Sequence, residues 1–207
     1  NGFGAHRIEG IGDKHIPWIH NVKNTDAVIA IDDEDAMRIF RLFNEPEGKK
    51  YLDSIDLDNH LLKRLYLLGI SGVSNLLSAI KTAKYYEMTS DDIIITIATD
   101  SAEMYHSRIE ELREENGDYT QLQAAKDFEK CILGQHTGNM RELNYQDRRA
   151  IHNLKYFTWV EQQAKDVEDL EQLWYNRTIW HTMFNQLDRW DELINEFNDR
   201  TGLLKNL

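Results

Sequence analysis

Hydrophobic and polar positions in the first half of the chain follow two periods, one typical of strands and one typical of helices. A short apolar run at residues 27–31 predicts a buried strand. Residues 92–98 are nearly continuous in isoleucine and threonine, as in a strand covered on both faces. Between them, a helix capped by Asp32 or Asp33 is predicted. Its apolar face consists of Ala36, Met37, Ile39 and Phe40.

Two more turns lead into predicted helices. Gly69 opens a turn with Ser71 or Ser74 as N-cap, followed by an apolar stripe with helical spacing. The predicted strand at residues 92–98 ends at Asp100, which can form a capping box with Glu103 for the next helix. A strand–turn–helix order of this kind predicts an α/β fold with a partial parallel sheet and flanking helices.

The second half of the chain shows only helical periodicity. Helices are predicted at residues 119–133, 145–163 and 167–200. The sequence therefore predicts an α/β region over residues 1–117, followed by an α-helical C-terminal extension over residues 118–207.

The helical extension carries one broad apolar face. The extension contains four of the five tryptophans, Trp159, Trp174, Trp180 and Trp190. One interpretation is that these helices fold back on the α/β region or on each other. The other is a dimer surface, because tryptophan and tyrosine are enriched in interfaces. A long helix of this composition favours self-association in either case, and we expect a homodimer.

The composition of the chain excludes several kinds of binding partner. The 207 residues carry a net charge of −12, so nucleic acid and anionic membranes are not expected to bind. No apolar run is long enough to span a bilayer. A single cysteine, Cys131, and the absence of a signal-peptide pattern fit a reducing cytoplasm. The eight histidines lack the spacing of metal ligands, and no metal site is predicted.

Three separated phrases resemble the fold-type-II pyridoxal-phosphate enzymes of the cysteine synthase and threonine synthase-like group. Residues 8–12 (Ile-Glu-Gly-Ile-Gly), leading to Ile16-Pro17, are similar to the first of the family's segments. Residues 69–72 (Gly-Ile-Ser-Gly) resemble a Gly-Ile-Ser-Ser-Gly loop with one serine missing. Residues 100–105 (Asp-Ser-Ala-Glu-Met-Tyr) resemble the turn after the last core strand. The match runs roughly from Gly4 to Glu111.

The resemblance implies half of a cofactor site. Ser101 would face the pyridine nitrogen of pyridoxal 5'-phosphate. Gly69, in the same loop as Ser71, would lie beside the cofactor with its backbone near the substrate amine. Gly10 and Gly12 would lie on a loop at the mouth of the site.

The lysine that carries the cofactor in this family belongs to an earlier Ser-x-Lys segment that this chain lacks. Lys14, Lys81 and Lys84 do not stand in that context. The resemblance therefore implies no catalytic residue here and a lysine upstream. The glycine-rich opening at residues 1–4 likewise reads like the middle of a protein, and a fragment is expected.

The residue at the pyridine nitrogen decides which reaction is favoured. An ionised carboxylate would stabilise the protonated ring, whereas a neutral hydroxyl such as that of Ser101 does not hold that proton. Ser101 therefore favours loss or replacement of a β-substituent, and if Asp100 faced the ring instead, the inference would reverse. Both residues are also ordinary choices for capping a helix.

Two functions follow from these patterns. The first is the C-terminal portion of a pyridoxal-phosphate-dependent lyase or β-replacement enzyme for a small amino acid, inactive alone because its lysine is missing. The alternative is a non-catalytic α/β and helical interaction module that mediates self-association.

Overall fold

A computed structural model describes residues 5–12, 15–202 and 204. The described chain forms two compact units. The first consists of residues 5–12 and 27–142, and the second of residues 15–26 together with the described residues from 143 onward. The glycine-rich opening at residues 1–4 and Lys14 lie outside the described residues.

The first unit is mainly helical. Its α-helices are α1 Asp33–Asn44, α2 Pro46–Ser54, α3 Asn59–Leu62, α4 Ile70–Tyr85, α5 His106–Asn116 and α6 Gln121–Phe128. A π-helical turn, Glu129–Leu133, continues α6, and 3-10 turns occupy Leu65–Leu67 and Ala102–Tyr105.

Helix α1 is at the centre of the first unit's core. The apolar face predicted for it is confirmed, since all four of its residues are at most 1% exposed. The Asp32 side chain accepts a hydrogen bond from the backbone N–H of Glu34, which confirms the predicted N-cap. Val73 and Leu77 of α4, both fully buried, belong to the same apolar cluster. This core holds the turn before α4 in place.

The predicted partial parallel sheet with flanking helices is wrong. In the described residues the only sheet has two short strands, β1 Ala27–Ile29 and β2 Met140–Glu142, and they are antiparallel. Helices account for 63% of the described residues. A buried strand was predicted at residues 27–31, but β1 covers only residues 27–29 and is not buried, since Val28 is 47% exposed. Its partner β2 lies in a segment that showed no strand period.

Residues 92–98 do not form the predicted strand. The segment has no strand partner among the described residues, and Ile93 and Ile95 are 82% and 87% exposed. A strand forms only where a neighbouring strand completes its backbone hydrogen bonds. The apolar composition of this segment was therefore not enough to produce a sheet.

The predicted capping at the two later turns is also wrong. Gly69, not Ser71 or Ser74, is the N-cap of α4, and both serines are buried within the helix. At the second turn, Ser101 precedes the 3-10 turn and makes no side-chain capping bond. Asp100 is occupied by other partners, described below, so the capping box with Glu103 does not form.

The second unit contains four α-helices among its described residues. They are α7 Tyr145–Lys155, α8 Val167–Tyr175, α9 Ile179–Phe184 and α10 Leu187–Thr201. A π-helical turn, Tyr156–Gln162, continues α7, and a 3-10 turn occupies Val22–Asn24. The helices predicted at residues 119–133 and 145–163 are confirmed, whereas the stretch 167–200 is divided into three helices.

The apolar residues of these last three helices have different environments. Leu170, Leu173 and Trp174 of α8 are 3–4% exposed, so this helix packs into the second unit. No residue of α10 is buried.

Across the described residues, no helix is both long and apolar enough to cross a bilayer.

Candidate functional site

The two turns singled out in the sequence lie together in the first unit. The backbone N–H of Gly69 donates to the carbonyl oxygen of Asp100 at 2.9 Å. The Ser71 and Thr99 hydroxyl oxygens are 2.6 Å apart. Two segments about thirty positions apart in the chain are therefore joined by one backbone bond and one side-chain bond.

The carboxylate of Asp100 is the centre of a small hydrogen-bond network. Tyr105 donates its hydroxyl to Oδ2, and Thr99 donates to Oδ1 at 3.2 Å. Because Thr99 has only one hydroxyl proton, Ser71 must be the donor in the bond between those two residues. The bond to Asp100, followed by burial, raises the pKa of Tyr105 to about 12. The phenol therefore stays protonated at neutral pH and remains a donor.

Gly69 has no room for a side chain. A Cβ atom at this position would lie 2.2 Å from Oδ1 of Asp100 and 3.1 Å from Cε2 of Tyr105. The backbone of the loop is thus pressed against the Asp100 carboxylate, and glycine is needed here for close approach.

Ser101 differs from its neighbour Asp100 in its bonding. Its side chain is half-buried and makes no capping bond to the turn that it precedes. The carboxylate of Asp100, in contrast, is engaged by two hydroxyl donors. Of the two residues, Ser101 has the polar group whose role is not explained by the local fold.

The loop of Gly10 and Gly12 belongs to the same unit. Both glycines have positive φ angles, +82° and +75°. The Glu9 carboxylate is 3.8 Å from the guanidinium of Arg108, on the helix that follows the Asp100 turn. Nearby Ile8 is 5% exposed, and it anchors the loop in the core of the unit.

Two lysines of the first unit are engaged by backbone carbonyls. Lys81 is 2% exposed and donates to the carbonyls of Ala30 and Gly138. Burial lowers the pKa of its amine. Lys84 donates to the carbonyl of Leu133 at 2.7 Å. Both amines thus have structural partners.

Comparison with known proteins gives one relevant similarity. The chain is 33% identical over 104 residues to the protein named cysteine synthase B of Campylobacter jejuni subsp. jejuni serotype O:2 (strain ATCC 700819 / NCTC 11168). The aligned part is 50% of this chain and 28% of that protein. Half of this chain is similar to part of cysteine synthase B. No protein-family model matches the chain, and no solved structure matches it significantly.

The similarity to cysteine synthase B agrees with the group of enzymes that the three phrases resemble, but it covers little more than a quarter of that protein. The contacts of Thr99 and Tyr105 were not foreseen. Tyr105 is part of the third phrase, residues 100–105, so the sequence had already marked it as a residue of interest. Thr99 directly follows the strand predicted at residues 92–98, and nothing in the sequence marked its hydroxyl as a partner of Ser71.

A second polar feature of the first unit was missed by sequence reasoning. A cavity of about 260 Å³ is bordered by Arg38, Arg41, Tyr119, Gln123 and Asp127, among others. Asp127 is 1% exposed and accepts bonds from Tyr119 at 2.9 Å and Gln123 at 2.8 Å. Burial, and then Asp127, raise the pKa of Tyr119 well above its usual value. These groups satisfy one another, which is typical of a structural network.

The network at Asp100 predicts a specific role for Tyr105. We expect Tyr105→Phe to lower the free energy of unfolding by about 1 kcal/mol, because the carboxylate loses a hydroxyl donor. Urea denaturation of the purified chain measures the effect. Tyr66→Phe, at a tyrosine that is 38% exposed, is the matched control and should change little. Equal effects of the two substitutions would contradict a special role for the Tyr105 hydroxyl.

Proposed function

We propose that this chain is the C-terminal portion of a pyridoxal-phosphate-dependent lyase or β-replacement enzyme that acts on a small amino acid. The observation that carries the proposal is the contact between the Gly69 turn and the Asp100–Ser101 turn. These two phrases are the ones that resemble the cofactor-facing segments of the family. The similarity to cysteine synthase B supports the same class of chemistry.

Two features of these residues support a place beside the cofactor. The Ser101 hydroxyl is not used for capping, and the backbone at Gly69 packs directly against the Asp100 carboxylate, which keeps the two turns together. Pyridoxal phosphate, when bound, supplies an electron sink for the substrate's α-carbon. Ser101 would be the neutral partner of the ring nitrogen, with Gly69 and Ser71 beside it.

Asp100 is proposed to position this site without facing the ring. Its carboxylate is engaged by Tyr105 and Thr99, and turning it away would leave two donors without their acceptor. A neutral group next to the ring nitrogen favours β-elimination or β-replacement over reactions that need a protonated ring.

The lysine that carries the cofactor is proposed to lie upstream of this chain in the parent protein. The amines of Lys81 and Lys84 are already bonded to backbone carbonyls. We therefore expect the 207-residue chain alone to release neither pyruvate nor ammonia from O-acetylserine, serine or cysteine. Turnover of any of these by the purified chain would contradict the proposal.

The decisive experiment uses the complete polypeptide encoded by the source gene. We expect it to bind pyridoxal phosphate, seen as absorbance of the bound cofactor, and to release or replace a β-substituent. Ser101→Asp is expected to reduce kcat/KM at least tenfold, about 1.4 kcal/mol, because a carboxylate would hold a proton on the ring.

The control makes the same serine-to-aspartate change at a position outside the turn. Ser107→Asp, at an exposed position of α5, should leave kcat/KM unchanged. A complete polypeptide that binds no cofactor would refute the proposed function. A Ser101→Asp enzyme with full activity would refute the assigned role of Ser101.

A further inference from the structure

Helix α10 has an apolar stripe that nothing covers in the described structure. Leu187, Trp190, Ile194 and Phe197 follow one another at spacings of three, four and three residues. They are 46%, 47%, 55% and 58% exposed. Monomeric soluble proteins rarely leave so large a continuous apolar surface open to water.

The spacing of this stripe is that of a coiled-coil seam. An average period of 3.5 residues places Leu187 and Ile194 at one seam position, with Trp190 and Phe197 at the other. Two helices with this pattern bury the same residues against each other. The stripe is therefore complementary to a copy of itself.

Five of the seven charged residues of α10 lie away from the seam. Arg189 pairs with Glu192 at 2.8 Å, and Arg200 pairs with Glu196 at 3.3 Å, all within the helix. The positions that flank the seam are occupied by Asp191, Leu193, Asn198 and Arg200. One acid and one base cancel there, although the whole chain carries a net charge of −12.

This charge distribution decides between occupants. A membrane surface is disfavoured, because helices that lie on membranes carry lysine and arginine on their polar face, and α10 has more acids than bases. Next to the seam itself, a strongly charged partner would find only one acid and one base, Asp191 and Arg200. A second copy meets an apolar stripe with nearly neutral flanks, so repulsion at the seam is small.

We infer that α10 is a self-association surface, and that two copies of this chain pair through Leu187, Trp190, Ile194 and Phe197. The pairing is independent of the proposed chemistry, since it uses only α10. A seam of about two heptads is smaller than a standard interface, so dissociation on the order of micromolar is expected.

Sedimentation velocity of the 207-residue chain tests the inference, from about 1 μM to about 1 mM. A reversible monomer–dimer equilibrium is expected. Ile194→Asp should raise the dimer Kd at least tenfold, because it places a carboxylate in the seam. Asn195→Asp adds the same charge one position away, on the outer face, and should leave the Kd within a factor of about two.

Each outcome has a defined meaning. A chain that stays monomeric at all of these protein concentrations overturns the inference, and the seam would then bind another segment or another partner. A dimer that Ile194→Asp does not weaken also overturns it. Circular dichroism verifies folding, and because Ile194 is exposed, the fold should survive the change. Phe197→Asp is the second seam variant and must weaken the dimer as well.

Discussion

Replacing Gly48 with alanine is expected to lower the free energy of unfolding of the first unit by about 3 kcal/mol. Gly48 lies in α2, where the chain has just turned from α1 through Glu45 and Pro46. A Cβ atom at this position would lie 2.2 Å from the carbonyl oxygen of Leu42 and 2.9 Å from its Cα. The obstacle is the backbone of α1, which cannot rotate away like a side chain. The two helices would have to separate at the centre of the core.

Chemical denaturation of the Gly48→Ala chain measures this loss. The matched control is Gly72→Ala in α4, where the new Cβ would meet only the side chain of Leu68, with Cδ2 nearest at 3.2 Å. That side chain can move, and alanine favours a helix interior over glycine by about 1 kcal/mol, so the control should be neutral or stabilising. Similar losses at both glycines would show that backbone contact at Leu42 is not the cause.

The second unit is expected to lose about 3 kcal/mol of stability between pH 6.5 and pH 4 through His152. This histidine is 2% exposed, and its Nε2 lies 3.2 Å from the carbonyl oxygen of Leu170. Burial, followed by the charges of Lys155 and Arg149, lowers the pKa of His152 to about 4. The bond to Leu170 and the charge of Glu171 oppose the shift.

The direction of the pH effect follows from proton binding. Between pH 4 and 6.5 the unfolded chain binds a proton on His152 that the folded chain does not, so acid favours unfolding. A tenfold difference in proton affinity is worth about 1.4 kcal/mol, which gives about 3 kcal/mol over this range. The stabilisation is complete above pH 6.5 and is lost as the pH falls towards 4.

Thermal unfolding measured across this pH range tests the prediction. His152→Gln removes the titrating group, and the amide can still donate to Leu170, so the acid slope should become shallower. His181→Gln, at an exposed histidine of α9, is the control and should keep the parent slope. A parent-like slope in the His152→Gln chain would exclude His152 as the source.

Lys155 produces the same kind of effect on the alkaline side. Its amine is fully buried and donates to the carbonyls of Trp18 and His20 at 2.8 and 2.7 Å. Burial lowers its pKa to about 8. Because the unfolded chain holds this proton up to about pH 10.5, stability contributed by Lys155 rises as the pH increases from 8 to 10.5.

Local patterns in the sequence were sufficient where one helix or one turn determines the outcome. The apolar face of α1 and its cap at Asp32 were predicted because helical periodicity and capping depend on residues three or four positions apart. The phrases at Gly69 and Ser101 were recognised for a similar reason, since each is a short run of residues. Their chemical roles stay predictions.

Tertiary structure decided which segments meet. Residues 92–98 have the composition of a buried strand, yet they remain exposed, because a strand depends on a partner that composition does not supply. Residues 27–29 do form a strand, because they pair with Met140–Glu142, more than a hundred positions away in the chain. The Asp100 carboxylate accepts hydrogen bonds from Tyr105 and Thr99 and does not form the predicted capping box. The Gly69 turn, which packs against it, holds it in that place.

The sequence by itself determined the apolar face and cap of α1, the helical character of the second half and the short phrases that resemble a known enzyme class, because these are properties of neighbouring residues. Only the tertiary structure decided which bonds join the Gly69 and Asp100 turns, that Lys155 and His152 are buried, and that α10 remains uncovered. Burial and long-range pairing are set by the whole chain's packing, in which each segment competes for partners distant in sequence.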